Sequence, residues 1–389
     1  MIRLPPAAVT ILHPEGNVNF NAHLSALVEL LGEKGYTITI VAPLRRFTQQ
    51  SPHSLAQLTL LPPAVFRAIS ALTLSPVGLG PASAFCRLVF AKLQTRLVLG
   101  VDRLGVIMAA LLGARRGIPH GMISYEIFFA SEVGRRFKKS EIIACRDVRF
   151  ALVQDQERGQ CLSAENAIPA DRLVFMPVAG RGTRPRPRGK LRSILGIPET
   201  KKIAVHMGST DSWTLLNELI DSVPLWPDDW CLVVHSRYPV ANAPWLASSR
   251  EPCGRVFLTP GSLPTHDDLG QLLCDADVGI ALYRPTFENA FTGLNLFHLG
   301  YSSGKLSAYL QHGVPVITNV RGRLAEGLLL SRVGHVVSAV GEIPSLLGQT
   351  ERRDDETTQR CLSFFATELD ASVKAGQFLR EVARCVESP

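Results

Sequence analysis

"YSSGKLSAYLQHGVPVIT", Tyr301 to Thr318, is the stretch on which the reading of this chain turns. Leu306, Tyr309 and Leu310 fall on one helical face, Gly313 suits a left-handed stop, and Pro315 sits just beyond it. "VPVIT" then reads as a buried strand, so helix and strand together form one step of a parallel α/β sheet. Lys305 is out of place in this pattern, because it lies in the first turn, where the helix macrodipole disfavours a cation. A bound phosphate reverses that sign, since backbone N–H groups at a helix N-terminus and a lysine attract the same anion. Ser302 or Ser303 is the cap, and Gly304 lets an anion come close to the backbone. The bland alternative is a lysine reaching out to solvent at little cost. A Walker A loop is excluded, because "GYSSGKL" is one residue short between its glycines and Leu306 stands where a Ser or Thr would hold magnesium.

The same alternation runs outward in both directions. "VTILHP" (9–14) is a strand, "HLSALVELLGEKG" (23–35) an amphipathic helix ending on Gly35, and "TITIVAP" (37–43) a β-branched strand, which makes a βαβ unit. "GVIMAALLGARRGIP" (105–119) repeats the helix-then-Gly-Pro pattern. After "VAGRGTRPRPRGKLRS" (178–193), dense in Gly, Pro and Arg, the alternation restarts with "KKIAVHMGS", "TLLNELIDSV" and "DDWCLVVHSR". The architecture expected is α/β, with two doubly wound, Rossmann-like domains facing each other across a cleft. The domains are placed at 1–182 and 183–350, with helices over 351–389 packing back across them.

Composition bounds the function. The chain has 389 residues and a formal net charge of +7. Residues 1–190 hold 24 Lys and Arg against 12 Asp and Glu, whereas 191–389 hold 17 against 22. A basic front half attracts anions: a phosphorylated acceptor, an anionic membrane surface or nucleic acid. Aromatics make up only 7% and do not interleave with the basic residues, so no nucleic-acid partner is expected. The eight cysteines are scattered without C-x-x-C, as in a reduced cytoplasmic protein without disulfides or a zinc site. The N-terminal apolar run is too short for a signal peptide, and no run reaches transmembrane length. H-E-x-x-H and G-x-G-x-x-G are both missing, which disfavours zinc hydrolases and dinucleotide oxidoreductases. The stretch 62–100 interleaves apolar runs with Arg67, Arg87, Lys92 and Arg96. It reads either as helices packed on the first sheet or as a face lying on a bilayer.

"SSGKLSAYLQHGVPVI" resembles the Ser-x-x-Lys-Leu-x-x-Tyr-Leu-x-x-Gly-x-Pro-Val-Ile segment of GT-B glycosyltransferases, particularly the family 4-like branch. "CDADVGIALYRP", "FLTPGSLPTHDDLGQLL", "VDRLGVIMAALLGARRGIPHGMISYEIFFASE" and "ACRDVRFALVQDQERGQCLSAENAI" are similar to the same enzymes, so the likeness covers nearly the whole chain. It implies transfer of a sugar from a nucleoside-diphosphate sugar to a sugar, lipid-linked or phosphorylated acceptor, in glycan, polysaccharide or glycoconjugate biosynthesis. No metal and no bound cofactor is implied, and the location is cytoplasmic or peripheral on the inner face of a membrane.

Carried onto matching positions, the likeness implies that Gly208 and Ser209 approach the donor diphosphate. Lys305 would contact the phosphates, with Ser303 and Gly304 beside it. Pro260, Gly261, Ser262 and Leu263 would line the base pocket, and Tyr283 would belong to the same donor site. Gly16, Asn17 and Asn19, in the turn after the first strand, fall at the donor or acceptor. Glu126 would orient an acceptor hydroxyl, with His120 as a second catalytic candidate.

The departures are specific. The family's two glutamates, eight positions apart, are here Gly300 and Ala308, and its Arg and Lys pair after the first strand of the second domain is missing. Glu288, Asn289 and Asn295 are the nearest polar substitutes for ribose binding, and Arg237 would restore positive charge. The lost glutamates leave two alternatives open, a non-catalytic or partner-dependent homologue and a nucleotide-sugar 2-epimerase.

Overall fold

Long runs of Val, Ile and Leu without polar alternation form strands buried on both faces, which is the signature of a helix-covered parallel sheet. The computed structural model describes residues 7–18, 21–44, 54–114, 116–236, 254–259 and 269–387. It contains two such sheets, one in each of two compact units. The first unit comprises residues 1–178, 287–295 and 371–389, and the second comprises 179–286 and 296–370.

In the first unit the strands are β1 (Ala7–Leu12), β2 (Ile38–Pro43), β3 (Ala56–Leu61), β4 (Thr95–Val101), β5 (His120–Ile123), β6 (Ala151–Val153) and β7 (Leu173–Phe175). They lie in the order β3-β2-β1-β4-β5-β6-β7, all parallel. Chain direction across the sheet reverses between β1 and β4, and that crevice is where open α/β sheets bind ligands. Gly100 and Gly105 allow the closing contact there: a Cβ on Gly100 would lie 2.2 Å from the Gly105 carbonyl carbon. The C-terminal helix Gly376–Glu387 buries Phe378, Val382 and Val386 in the core of this sheet.

The stretch 62–100 contains the helices Pro63–Leu72 and Gly80–Val89, and it then ends in β4, at the middle of the sheet. The sequence reading ran this strand into the helices because "TRLVLGV" follows them with only a short turn between.

The second unit carries β8 (Lys202–Gly208), β9 (Trp230–Ser236), β10 (Val256–Leu258), β11 (Val278–Ala281), β12 (Val316–Thr318) and β13 (Gly334–Val336), in the order β10-β9-β8-β11-β12-β13, all parallel. Its reversal point falls between β8 and β11. The opening stretch forms the helix Gly304–Gln311 followed by β12, with Gly313 at φ +75 as the left-handed stop. Tyr309 of this helix fastens the central strands. Its hydroxyl donates to Val205 O at 2.9 Å and accepts from Met207 N at 3.2 Å. Its ring fills the space a Cβ on Gly279 would need, 2.4 Å away.

Seven cysteines lie among the described residues, and all seven are free thiols. Burial raises their pKa wherever a shift is resolved, for example to about 12 for Cys231, so they are packing residues in character.

Candidate active site

In the second unit the site is built at the sheet reversal. β8 ends at Gly208, whose φ of +104 is a conformation only glycine adopts without strain. The helix Gly304–Gln311 begins beside it. Ser303, not Ser302, is the cap: its Oγ accepts from Leu306 N at 3.3 Å, while Ser302 Oγ donates to Leu299 O at 2.5 Å. Lys305 turns back from the first helical turn towards β8, so that a Cβ on Gly208 would lie 2.8 Å from Lys305 Cε. Its ammonium sits 5.5 Å from the Trp213 ring and 5.7 Å from the Tyr283 ring. Those two rings stack at 6.2 Å and 13°, and the Tyr283 hydroxyl bonds Ser303 Oγ at 2.6 Å. Trp213 and Tyr283 thus present π-faces to the cation and lock the helix cap.

Beneath this group lies His206, fully buried on β8, with Nε2 on Ser209 O at 3.3 Å. Burial, reinforced by the charge of Lys305, holds its pKa down to about 3, so the imidazole is neutral and adds no second cation. Ser209 is tied by its hydroxyl to the Asp211 carboxylate. Gly208, Ser209, Tyr283, Ser303, Gly304 and Lys305 therefore come together as one constellation. Gly261, Ser262, Leu263 and Arg237, with Pro260, lie outside the described residues, as does Asn19.

The first unit also carries a polar cluster at its reversal point. Gly16, at φ +71, closes the turn after β1 by donating to His13 O at 3.1 Å, and Asn17 is exposed next to it. Asp102, immediately after β4, takes φ +52 and is buried. Its Oδ1 accepts from Tyr125 N at 2.6 Å and from Glu126 N at 2.9 Å. The opposite side of that loop is held by Gln154 Nε2 on Ser124 O at 2.5 Å and by buried Arg158 on Tyr125 O at 2.7 Å. Glu126 is thus carried on a backbone fixed by side chains from the first residue after β4, from the end of β6 and from the helix Gln156–Asn166. Burial pushes its pKa up to about 7 against the pull of Arg158, a value suited to proton exchange near neutrality.

Two expected site residues are placed elsewhere. His120 opens β5, whereas Glu126 lies beyond that strand's carboxyl end, so the two are not brought together. The His120 ring bonds Ala144 O at 3.0 Å and its pKa is lowered by burial, as for a core histidine. Asn295 belongs to the first unit. Its Oδ1 accepts from Ile127 N at 2.9 Å, and its Nδ2 donates to Ile127 O at 2.7 Å and Ala290 O at 2.8 Å. The amide is thereby used up in pinning residues 287–295 to the loop that bears Glu126, and it has no capacity left for a ribose. Of the other polar substitutes, Asn289 Oδ1 accepts from Phe291 N at 2.9 Å within its own turn, and Glu288 is exposed.

Asp102, Arg158, His206 and the Trp213 ring are the participants that sequence reasoning did not select. Asp102 carried a signal, being an acidic residue between an apolar strand and an apolar helix.

No protein-family model matches the sequence, and no curated protein matches it. Solved structures do match. Sucrose-phosphate synthase from Thermosynechococcus elongatus superposes with a TM-score of 0.67 at 13% identity, over 96% of this chain and 98% of that one. Anabaena HepE in complex with UDP gives 0.70 at 12%, over 96% and 99%. WaaG, a glycosyltransferase involved in lipopolysaccharide biosynthesis, gives 0.65 at 11%, over 98% and 100%. Two parallel sheets of seven and six strands, aligned with these enzymes over almost their full length, give this chain the GT-B glycosyltransferase fold.

Proposed function

We propose that this chain is a metal-independent glycosyltransferase that takes a nucleoside-diphosphate sugar at the Lys305 site and passes the sugar to an acceptor. The observation that carries this reading is the placement of Lys305. A cation in the first turn of a helix, folded back on a positive-φ glycine at a sheet reversal, adds its charge to the positive end of the helix dipole, and both would attract the same anion. A diphosphate leaving group is such an anion, and the lysine with the helix N–H groups would stabilise its developing charge without a metal. HepE is a structural neighbour seen with UDP, which supports a nucleotide donor here. Glu126, beside the reversal point of the first sheet, would serve the acceptor. The acceptor is a sugar, lipid-linked or phosphorylated molecule, and the setting is the cytoplasm or the inner face of a membrane.

Calorimetric titration of the full chain with UDP, GDP and dTDP tests the reading. One of them binds, and Lys305→Ala weakens it by tenfold or more, the loss expected for a charge-assisted contact of about 1.5–3 kcal/mol, with the melting temperature retained. No binding by any of the three, or unchanged affinity in a folded Lys305→Ala protein, defeats it.

The position equivalent to the family's second glutamate is Ala308, buried in the second core. This favours a binding-only homologue as the second reading. That protein would bind the diphosphate yet leave the donor sugar intact with every acceptor.

A further inference from the structure

Trp213, Trp226 and Trp230 lie among the described residues, and they differ in one respect. Trp226 Nε1 donates to Ser222 Oγ at 3.0 Å, and Trp230 Nε1 donates to Leu347 O at 3.1 Å. Both rings are buried, and a buried indole N–H normally finds an acceptor. Trp213 is half-buried against the second core, and its N–H has no acceptor among the described residues.

The turn that carries Trp213 is held firmly. Ser209 Oγ bonds the Asp211 carboxylate, and Thr214 donates to Asp211 O through Oγ1 at 2.7 Å and through N at 3.0 Å. Arg284 N donates to Trp213 O at 2.8 Å. Leu215, two residues on, is held at φ +53, which a leucine rarely adopts. Such strain persists only where the surroundings impose it, and it gathers at ligand sites. What the turn presents is a ring stacked on Tyr283 and 5.5 Å from the Lys305 ammonium. From Ser209 to Leu215 the sequence has no Lys or Arg, so the turn itself brings a polar hydrogen and no positive side chain.

We propose that Trp213 is a ligand-contacting residue of the Lys305 site, its indole N–H donating to an oxygen of the diphosphate that Lys305 holds. The inference deepens the proposed donor reading and rests on it. Hydrogen bonds to charged oxygens run about 2.7–2.9 Å, so one phosphate, with an oxygen towards each group, has the span to meet an ammonium and an indole this far apart. A neutral donor on a rigid turn adds no second cation beside Lys305. It also spares the ordering cost that a long flexible Lys or Arg would incur on binding.

The test is calorimetry of the full chain, Trp213→Phe and Trp213→Ala with UDP, GDP, dTDP, UDP-glucose and inorganic pyrophosphate. Trp213→Phe keeps a ring on Tyr283 and loses the N–H. It should weaken pyrophosphate and the preferred nucleoside diphosphate alike, by on the order of tenfold, with the melting temperature retained. Trp213→Ala should weaken them at least as much. A second readout needs no variant to carry the ligand. In the chain with nitrogen-labelled tryptophan, the indole N–H signal that Trp213→Phe lacks should move downfield on adding pyrophosphate. Unchanged affinity in folded Trp213→Phe, or an indole signal that stays in place at saturating ligand, overturns the proposal. So does a weakening confined to UDP-glucose, which would put the indole on the sugar. If Lys305→Ala weakens the nucleotide and Trp213→Phe does not, this inference falls and the donor reading stands. If no nucleoside diphosphate binds the unaltered chain, both fall.

Discussion

Gly208 and Lys305 share one space: a methyl group on the glycine would lie 2.8 Å from the lysine Cε. The nearest atom belongs to the end of a flexible side chain, so the lysine would swing aside more readily than the strand would move. The backbone cost at φ +104 remains whatever the lysine does. Gly208→Ala is therefore expected to lose about 1–3 kcal/mol of stability and also to weaken nucleoside-diphosphate binding. Denaturant titration and calorimetry on the same protein measure both. Full affinity in a destabilised Gly208→Ala protein would show that the lysine's position does not matter for the ligand.

Tyr309→Phe keeps the ring under Gly279 and removes the hydroxyl between Val205 O and Met207 N. Both backbone groups are buried, so the loss should be about 1–3 kcal/mol. It should appear as a lower denaturant midpoint with an unchanged slope.

Asp102→Ala strips acceptors from two backbone N–H groups at once and leaves a non-glycine residue at φ +52. A loss of about 2–4 kcal/mol is expected. Asp102→Asn retains an oxygen at the same place and should lose less. Equal losses in the two variants, by denaturant midpoint, would show that the carboxylate's charge matters here and its geometry does not.

Glu126 gives a pH signature of definite sign. Its folded pKa is raised from 4.5 to about 7, so the folded state binds the proton more tightly than the unfolded chain does. That contribution is fully present below pH 4.5 and is lost as pH rises through 7. Glu126→Gln carries no such proton. Its melting temperature relative to the unaltered protein should therefore climb between pH 4.5 and 8, by an amount equivalent to about 2–3 kcal/mol. A constant difference across that range would mean that Glu126 titrates normally.

Much of this was legible from residues. Strand and helix periods located both sheets, and the misfit of Lys305 with its helix singled out a residue that the fold brings beside Gly208, Trp213 and Tyr283. What stayed hidden has physical causes. β4 is a seven-residue strand following two helices with similar apolar content, and periodicity does not separate such runs. His120 is the first residue of its strand, and a sequence does not say which end of a strand faces the ligand. Asn295 is far along the chain from Ile127, and no local pattern announces that pairing. Trp213 and Tyr283 stack across many intervening residues, so their joint role depends on the fold.

The backbone passes between the two units four times, at 178/179, 286/287, 295/296 and 370/371. A gene fragment ending at residue 178 would thus make a first sheet with no Phe378, Val382 or Val386 over its core and no Asn295 amide against Ile127. Neither half of this protein can be grafted into a chimera by a single cut, because the first unit draws on three separate stretches of chain and the second on two.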